Sequence, residues 1–510
     1  MTSKALVFDI GTTRIKAGLV DLESLKIIDI RQAVSQVIYP APGLAEQDPE
    51  WLWRTVTGLA QDLVSSSDDR VDAVVFVAYM AGLILLDEKG EPLTNLITWL
   101  DERAAGLPKS VWSGLLRVSG YNVFRLLEFL RITGGAPSST GKDVISKLVW
   151  IRENLPREYE RAKHVLGAVG YLVYKATSTP VYPADDAHLT WLADTRQIPP
   201  KWSRKLFTRY GLDPDKMPAI MQAHEIAGSL TKQASKELGL PENTRVLVGM
   251  GDVAAVALGS GAVEERRLHV YLGTSGWTAF HKRKRVLDIS HYIGSLVSAR
   301  PGYYLAIGEQ EVAGGAVEWA SNLLGFDNVG EALTAIIEVP PGAYGLLFGP
   351  WLFGERCPVD DPYARGVLIG LDLNTDRREI MRSVVEGVVL NTAWGFKYAS
   401  KLSGSEEPVR LVGGLARSEL VGQLLADMTG YTVEIPSAPE LAGLKGGAMI
   451  AGFGLGYSTL EQYASKIKIA RQYKPGKYRE TYQKLLASYT RMYNNVKKTF
   501  RELSQFKQQR

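Results

Sequence analysis

Cysteine is almost absent. Cys357 is the only one in 510 residues, which excludes an intrachain disulfide and a cysteine-built metal site and fits a reducing compartment. The six histidines are scattered with no His-x-x-x-His spacing, so the usual helical zinc pair is missing. Charge of one sign is also lacking: the formal net charge is +4 and no basic run stands out before the C-terminal tail, which disfavours nucleic acid as a partner. Long apolar runs are missing as well. The longest, Ala73 to Leu86, is too short to span a bilayer and contains Gly82, and strand-like residues begin almost at the first position, where a secretory leader would lie. These absences predict a soluble cytoplasmic protein with a small-molecule substrate and no membrane partner.

The remaining composition is that of an ordinary globular protein, with 45% hydrophobic and 22% charged residues. A chain of 510 residues exceeds one core, so two domains are expected, over residues 1–260 and 261–510.

In mid-chain, Val246-Leu247-Val248 runs into Gly249-Met250-Gly251-Asp252 and then into the small-residue stretch Val253 to Gly261. The sequence predicts a strand, a bare turn and a closely packed helix, with Asp252 at the helix start. An acid there is either a general base in a cleft or an N-cap. Two similar hairpins are predicted about half the chain apart. Ala5 to Ile10, Gly11-Thr12-Thr13 and Arg14 to Asp21 make one; Leu268 to Leu272, Gly273-Thr274-Ser275 and Gly276 to Phe280 make the other. A glycine followed by two hydroxyl residues offers N–H and O–H donors at the tip, the chemistry that phosphate needs, although such turns also occur in hairpins without a ligand. Two copies of one design suggest two domains of similar topology facing each other.

Other segments carry paired readings. Tyr79-Met80-Ala81-Gly82 ends a buried strand, and Trp99-Leu100-Asp101 follows another, so the two loops either line one pocket or belong to the core. Gly134 to Asp143 resembles a P-loop but fails on glycine spacing, on Asp143 after Lys142, and on the missing preceding strand. Asp185-Asp186 reads as a structural cap, because adjacent side chains tend to point apart. The segment Glu311 to Trp319 reads as a glycine-bearing helix, and Arg410 to Glu419 as a strand, a Gly413-Gly414 turn and a helix start. Either could approach a planar base or simply pack tightly. From about Lys477, Tyr478, Tyr482, Leu485, Tyr489, Met492, Val496, Phe500 and Leu503 recur at helical spacing, predicting an amphipathic helix docked on the body.

In order, Phe8-Asp9-Ile10-Gly11-Thr12-Thr13, Ala45-Glu46-Gln47-Asp48-Pro49, Gly251-Asp252, Leu272-Gly273-Thr274-Ser275-Gly276, Gly354-Glu355-Arg356-Cys357-Pro358 and Gly413-Gly414-Leu415-Ala416-Arg417-Ser418 resemble the FGGY family of carbohydrate kinases. This family belongs to the sugar-kinase/Hsp70/actin superfamily, and within it the pattern is most similar to the xylulokinases. The resemblance implies two actin-like (ribonuclease H-like) α/β domains with ATP in the cleft between them. It implies Asp252 as catalytic base, and Asp9 together with Asp252 as the carboxylates near Mg²⁺. Gly11, Thr12, Thr13, Gly273, Thr274 and Ser275 match the phosphate turns; Gly314, Glu318, Gly413, Gly414, Ala416 and Ser418 match positions around the nucleotide. Met80, Ala81, Trp99, Asp101 and Asp252 match the sugar site. Ala81 stands where xylulokinases usually carry His, Leu100 where they often carry Asn, and Val253 where Asn follows the catalytic acid. The Arg-Glu pair of glycerol kinases is also missing at Met80-Ala81. These departures leave other acceptors open; the resemblance implies a ketopentose such as D-xylulose, with another ketose or a polyol (ribulose, glycerol or erythritol type) as the alternative. A nucleotide-binding sensor without transfer activity is a rival of another class, but it would have no need of a base. A homodimer is a candidate assembly.

Overall fold

The computed structural model describes residues 3–65 and 70–506. The first sheet has the strand order Ile226–Ser229, Arg245–Leu247, Val71–Ala78, Lys4–Ile10, Arg14–Asp21 and Ile27–Val34, with Met250–Gly251 pairing beside Val71–Ala78. Lys4–Ile10 pairs antiparallel with Arg14–Asp21 and parallel with Val71–Ala78. The second sheet repeats the plan in the order Gly294–Val297, Tyr304–Gln310, Gly276–Lys282, Leu268–Leu272, Val409–Val412, Val433–Pro436 and Ile469–Tyr473. Its strand Leu268–Leu272 is antiparallel to Gly276–Lys282 and parallel to Val409–Val412. Each hairpin therefore sits at the centre of its sheet, where the antiparallel meander meets the parallel strands.

Strand periodicity decides what each face of Lys4–Ile10 meets. Leu6, Phe8 and Ile10 enter one core with the helices Pro49–Ser65 and Ala168–Thr177. Ala5 and Val7 enter another with residues of the helices Asp252–Gly259 and Ala442–Gly454. Asp9 shares the odd-numbered face, and so points toward these two helices.

The helix Ala442–Gly454 is continuous despite its glycines, and it packs on the first sheet although it follows strands of the second. Its crossing with Asp252–Gly259 is close: a Cβ on Gly446 would lie 1.9 Å from the Ala255 carbonyl oxygen, and one on Gly259 would lie 1.8 Å from that of Ala442. Small residues there let two backbones touch where the chain passes between sheets.

The second sheet is backed by the helix Arg377–Ser403, which begins with a capping box formed by Asp376 and Glu379. The C-terminal helix Arg479–Ser504 docks on it, burying Tyr482, Tyr489, Met492, Tyr493 and Phe500. Tyr489 donates to Asn391 Oδ1 at 3.0 Å and Tyr482 to Glu386 Oε1 at 2.8 Å.

Candidate active site

Asp252 is the first residue of its helix, and the extended backbone of Gly251 precedes it. Its Oδ1 accepts the Val253 N–H at 2.9 Å. Burial pushes the Asp252 carboxyl up to about 7; the charge of Asp9 adds to the rise, the Val253 amide opposes it, and Glu309 and Asp185 contribute further. The surroundings thus comprise Asp9 and Asp185 from the N-terminal half and Glu309 from the second sheet. A carboxyl poised near neutrality can accept a proton from an alcohol and release it again.

Asp9 receives Lys16 Nζ at 3.2 Å, and a Cβ on Gly443 would lie 2.7 Å from its Oδ2. The first turn of Ala442–Gly454 therefore rests against the Asp9 carboxylate, with the positive end of a helix dipole beside a negative charge.

Each hairpin turn is closed by a hydrogen bond from its leading glycine, to the third residue on in the first and to the second residue on in the second. The Gly11 N–H donates to Arg14 O at 2.9 Å, and the Gly273 N–H to Ser275 O at 3.0 Å. Thr13 and Thr274 are exposed, while Thr12 and Ser275 are half-buried. The second turn is also gripped from behind. Gly314 N–H donates to Gly273 O at 2.7 Å, and Ala313 and Gly315 N–H groups donate to Thr274 O at 2.9 and 3.0 Å. The helix itself runs Gly314–Leu323, starting later than the sequence predicted. Tyr271 stacks on Trp277 with ring centroids 3.9 Å apart, and its hydroxyl lies against Gly273, where an added Cβ would be 2.1 Å away. Burial raises the Tyr271 phenol well above its ordinary range, with the charges of Asp9 and Asp252 adding to the rise. One ring therefore adjoins both the second turn and the acid pair.

Gly413 has φ +101°, and a Cβ there would meet Leu272 O at 2.5 Å; its N–H donates to Pro439 O at 3.0 Å. Nothing lies within 4 Å of a Cβ placed on Gly414, so the turn offers open space beside the second hairpin. Ala416 is buried, Ser418 caps the helix Glu419–Thr429, and Glu318 stands exposed.

Of the sugar-loop residues, Met80 packs against Gly251, where a Cβ would lie 2.3 Å from its Cγ. Ala81 has φ +56° and is held at both ends: its N–H donates to Asp186 Oδ1 at 2.9 Å, and its carbonyl accepts Lys147 Nζ at 3.1 Å. Lys147 also donates to Thr98 O at 2.8 Å, so one fully buried lysine joins the two loops. Burial lowers Lys147 to about 7 against the attraction of Asp101 and Asp143. Asp101 is also fully buried, and its carboxylate accepts Ala45 N–H at 2.7 Å and the Arg103 side chain at 2.8 Å, which commits it to bracing the loop. Trp99 lies beneath Lys142, 6.0 Å from Nζ to the ring centroid; Lys142 reaches Glu102 at 3.3 Å and Glu311, from the second half, at 3.9 Å.

Asp185 and Asp186, read from the sequence as a structural cap, do not act as one: Pro183 is at the N-cap of their helix and no side chain caps it. Both are buried in the helix Ala184–Leu189, and they join the site as Lys147, Tyr271 and Glu309 do. The doubled Asp was the only sequence signal for any of these, since buried lysines and acids look like surface residues in a lone sequence.

The N-terminal domain model of the FGGY family of carbohydrate kinases matches residues 4–259, and its C-terminal domain model matches residues 268–455. The chain belongs to this family. The FGGY kinase is 28% identical over 451 residues to a xylulose kinase of Staphylococcus xylosus, covering 88% of this chain and 90% of that one. It is 27% identical over 467 residues to a gluconokinase of Bacillus subtilis, covering 89% and 87%. Among solved structures, it matches ligand-bound xylulose kinase from Lactobacillus acidophilus with a TM-score of 0.87 at 24% identity, over 98% of this chain and 100% of the other. As a carbohydrate kinase of this fold, it is an ATP-dependent sugar kinase with a small-molecule acceptor. Among its described residues, no helix is long and apolar enough to cross a membrane.

Proposed function

We propose that this kinase phosphorylates an uncharged sugar, a ketopentose such as xylulose before other ketoses or polyols, with Asp252 as the base. The observation that carries the reading is Asp252 itself: a half-buried carboxyl held near neutrality by desolvation and the charge of Asp9, at the first residue of a helix that lies in sequence between the two hydroxyl-tipped turns. An alcohol is a weak nucleophile, so Asp252 accepts its proton as the oxygen attacks the γ-phosphoryl group. Donors at Thr12, Thr13, Thr274 and Ser275 orient the phosphates, and the bare face at Gly414 receives the adenosine.

Mg²⁺ is implied by the family chemistry. It favours six oxygens, with only one or two protein carboxylates and the rest from water and phosphate. Asp9 is a suitable anchor. Among the described residues there is no group of three or more acids, histidines or cysteines that could hold a metal ion. Asp9, with Asp252 adjacent, would hold Mg²⁺, and it would supply charge neutralisation on the phosphates.

The uncharged acceptor follows from the state of the cations. Lys147 is committed to two carbonyls, Arg103 to Asp101 and Glu46, and Lys142 to Glu102 and Glu311. An aldonate would bring its carboxylate into a region containing Asp185, Asp186 and Asp252 with no uncommitted partner at these positions. This favours the substrate of the xylulose kinase relatives over that of the gluconokinases.

The test is ADP release with D-xylulose, D-ribulose, glycerol, erythritol and D-gluconate. Highest kcat/KM is expected for a ketopentose and lowest for gluconate. Preference for gluconate would overturn the uncharged-acceptor reading.

A further inference from the structure

The helix Ala184–Leu189 carries two adjacent carboxyls that serve different loops. Asp185 Oδ2 accepts the N–H of Gly251, the residue before Asp252, at 2.7 Å. Asp186 Oδ1 accepts the N–H of Ala81 at 2.9 Å, from the loop between the strand Val71–Ala78 and the sugar site. The same helix is tied to the other half of the molecule, because Val297 N–H donates to His188 Nδ1 at 2.9 Å. Asp185, Asp186 and His188 are all buried, with at most 2% exposure. One rigid turn of helix therefore touches the loop of the base, the loop of the acceptor and the second sheet.

The two contacts are not interchangeable. Gly251 has no side chain of its own to anchor it; it pairs with Ala78 at the end of the sheet, Met80 packs against it, and its N–H is taken by Asp185. Ala81 holds a left-handed backbone conformation that a residue with a Cβ seldom adopts, and Asp186 and Lys147 grip its two polar groups. Releasing Gly251 would move the base. Releasing Ala81 would move the wall against which the acceptor rests. Since transfer requires the acceptor oxygen and base within hydrogen-bond reach, a displacement of about 1 Å in either loop is enough to cost about 10²-fold.

We propose that Asp185 and Asp186 are positioning residues for phosphoryl transfer, Asp185 fixing the Gly251–Asp252 loop and Asp186 fixing the Ala81 loop, with the helix between them setting the spacing of base and acceptor. The assignment rests on Asp252 being the base.

The experiment compares Asp185→Ala, Asp185→Asn, Asp186→Ala and Asp186→Asn with wild type and with Asp252→Ala, on whichever sugar wild type turns over best. Asp185→Ala is expected to lower kcat by about 10²-fold with KM for sugar changed by less than about threefold. Asp186→Ala is expected to raise that KM by about tenfold with a smaller fall in kcat. Each Asn variant keeps an oxygen for the N–H and is expected to restore the parameter its Ala counterpart loses. Should the Ala variants fail to fold, Asp185→Glu and Asp186→Glu, which retain the acceptor but displace it by one methylene, are read for the same split. Equal effects of both positions on kcat and KM, or no effect of either, would overturn the assignment while an inactive Asp252→Ala leaves the base intact. An active Asp252→Ala would instead remove the base, and this assignment with it.

Discussion

Replacing Lys147 by Met tests whether a buried lysine holds the two acceptor loops at a measurable energetic cost. Methionine keeps most of the stem and removes the amine. In the folded protein burial lowers Lys147 to about 7, whereas in the unfolded chain a lysine titrates near 10.4. Folding therefore releases a proton from Lys147 between these values. Its contribution to stability is fully present above the unfolded value and is lost as pH falls to the folded one, at about 1.4 kcal/mol per unit. From pH 7 to pH 9 the unfolding free energy of wild type should thus gain about 2–3 kcal/mol relative to Lys147→Met, which has no group to titrate. The gain should stop below about pH 6, where the amine is charged in both states. Loss of the donors to Ala81 and Thr98 should also raise KM for the sugar by about tenfold, since it leaves a buried carbonyl at Thr98 and a half-buried one at Ala81 unpaired, at about 1–3 kcal/mol for a buried group. Denaturant unfolding at four pH values, with sugar kinetics at one, reads both effects. A stability difference that stays constant from pH 7 to pH 9 would refute the reasoning, because Lys147 would then keep its proton with Asp101 and Asp143 balancing its burial.

Thr274→Val removes a hydroxyl from the exposed tip of the second turn, and calorimetry should find ATP affinity lowered by about tenfold with sugar affinity unchanged. A fall confined to sugar affinity would contradict the assignment of that turn. Gly446→Ala places a Cβ where Ala255 O stands 1.9 Å away; the two crossing helices would have to part, and thermal unfolding should report a loss of about 1–3 kcal/mol.

The two hairpins were legible in the sequence because a strand, a glycine turn and a strand are local features, and their bounds in the structure, Lys4–Ile10 with Arg14–Asp21 and Leu268–Leu272 with Gly276–Lys282, follow the reading closely. The closely packed helix after Asp252 and the docked C-terminal helix were legible for the same reason, since composition and period reveal them. What escaped is long-range. Nothing local in Ala442–Gly454 says that it will lie on a sheet built some 400 residues earlier, nor that its glycines are spent on Ala255 and Asp9. Asp185 and Asp186 read as a structural cap because adjacent side chains tend to point apart; they do point apart, but each accepts an N–H from a different distant loop, a pairing that no local pattern announces. Nothing in the sequence singled out Lys147. Its partners are backbone carbonyls, which no side-chain pattern can announce.

The measurement that bears most directly on the central claim is turnover of Asp252→Asn with its best sugar, alongside ATP binding by the same variant. The amide preserves the shape of the helix start but cannot take up the acceptor's proton. The account predicts that kcat falls by at least about 10²-fold while ATP affinity stays within about threefold of wild type. Turnover near the wild-type rate would contradict it, and would leave the carboxyl between the two turns without a part in the chemistry.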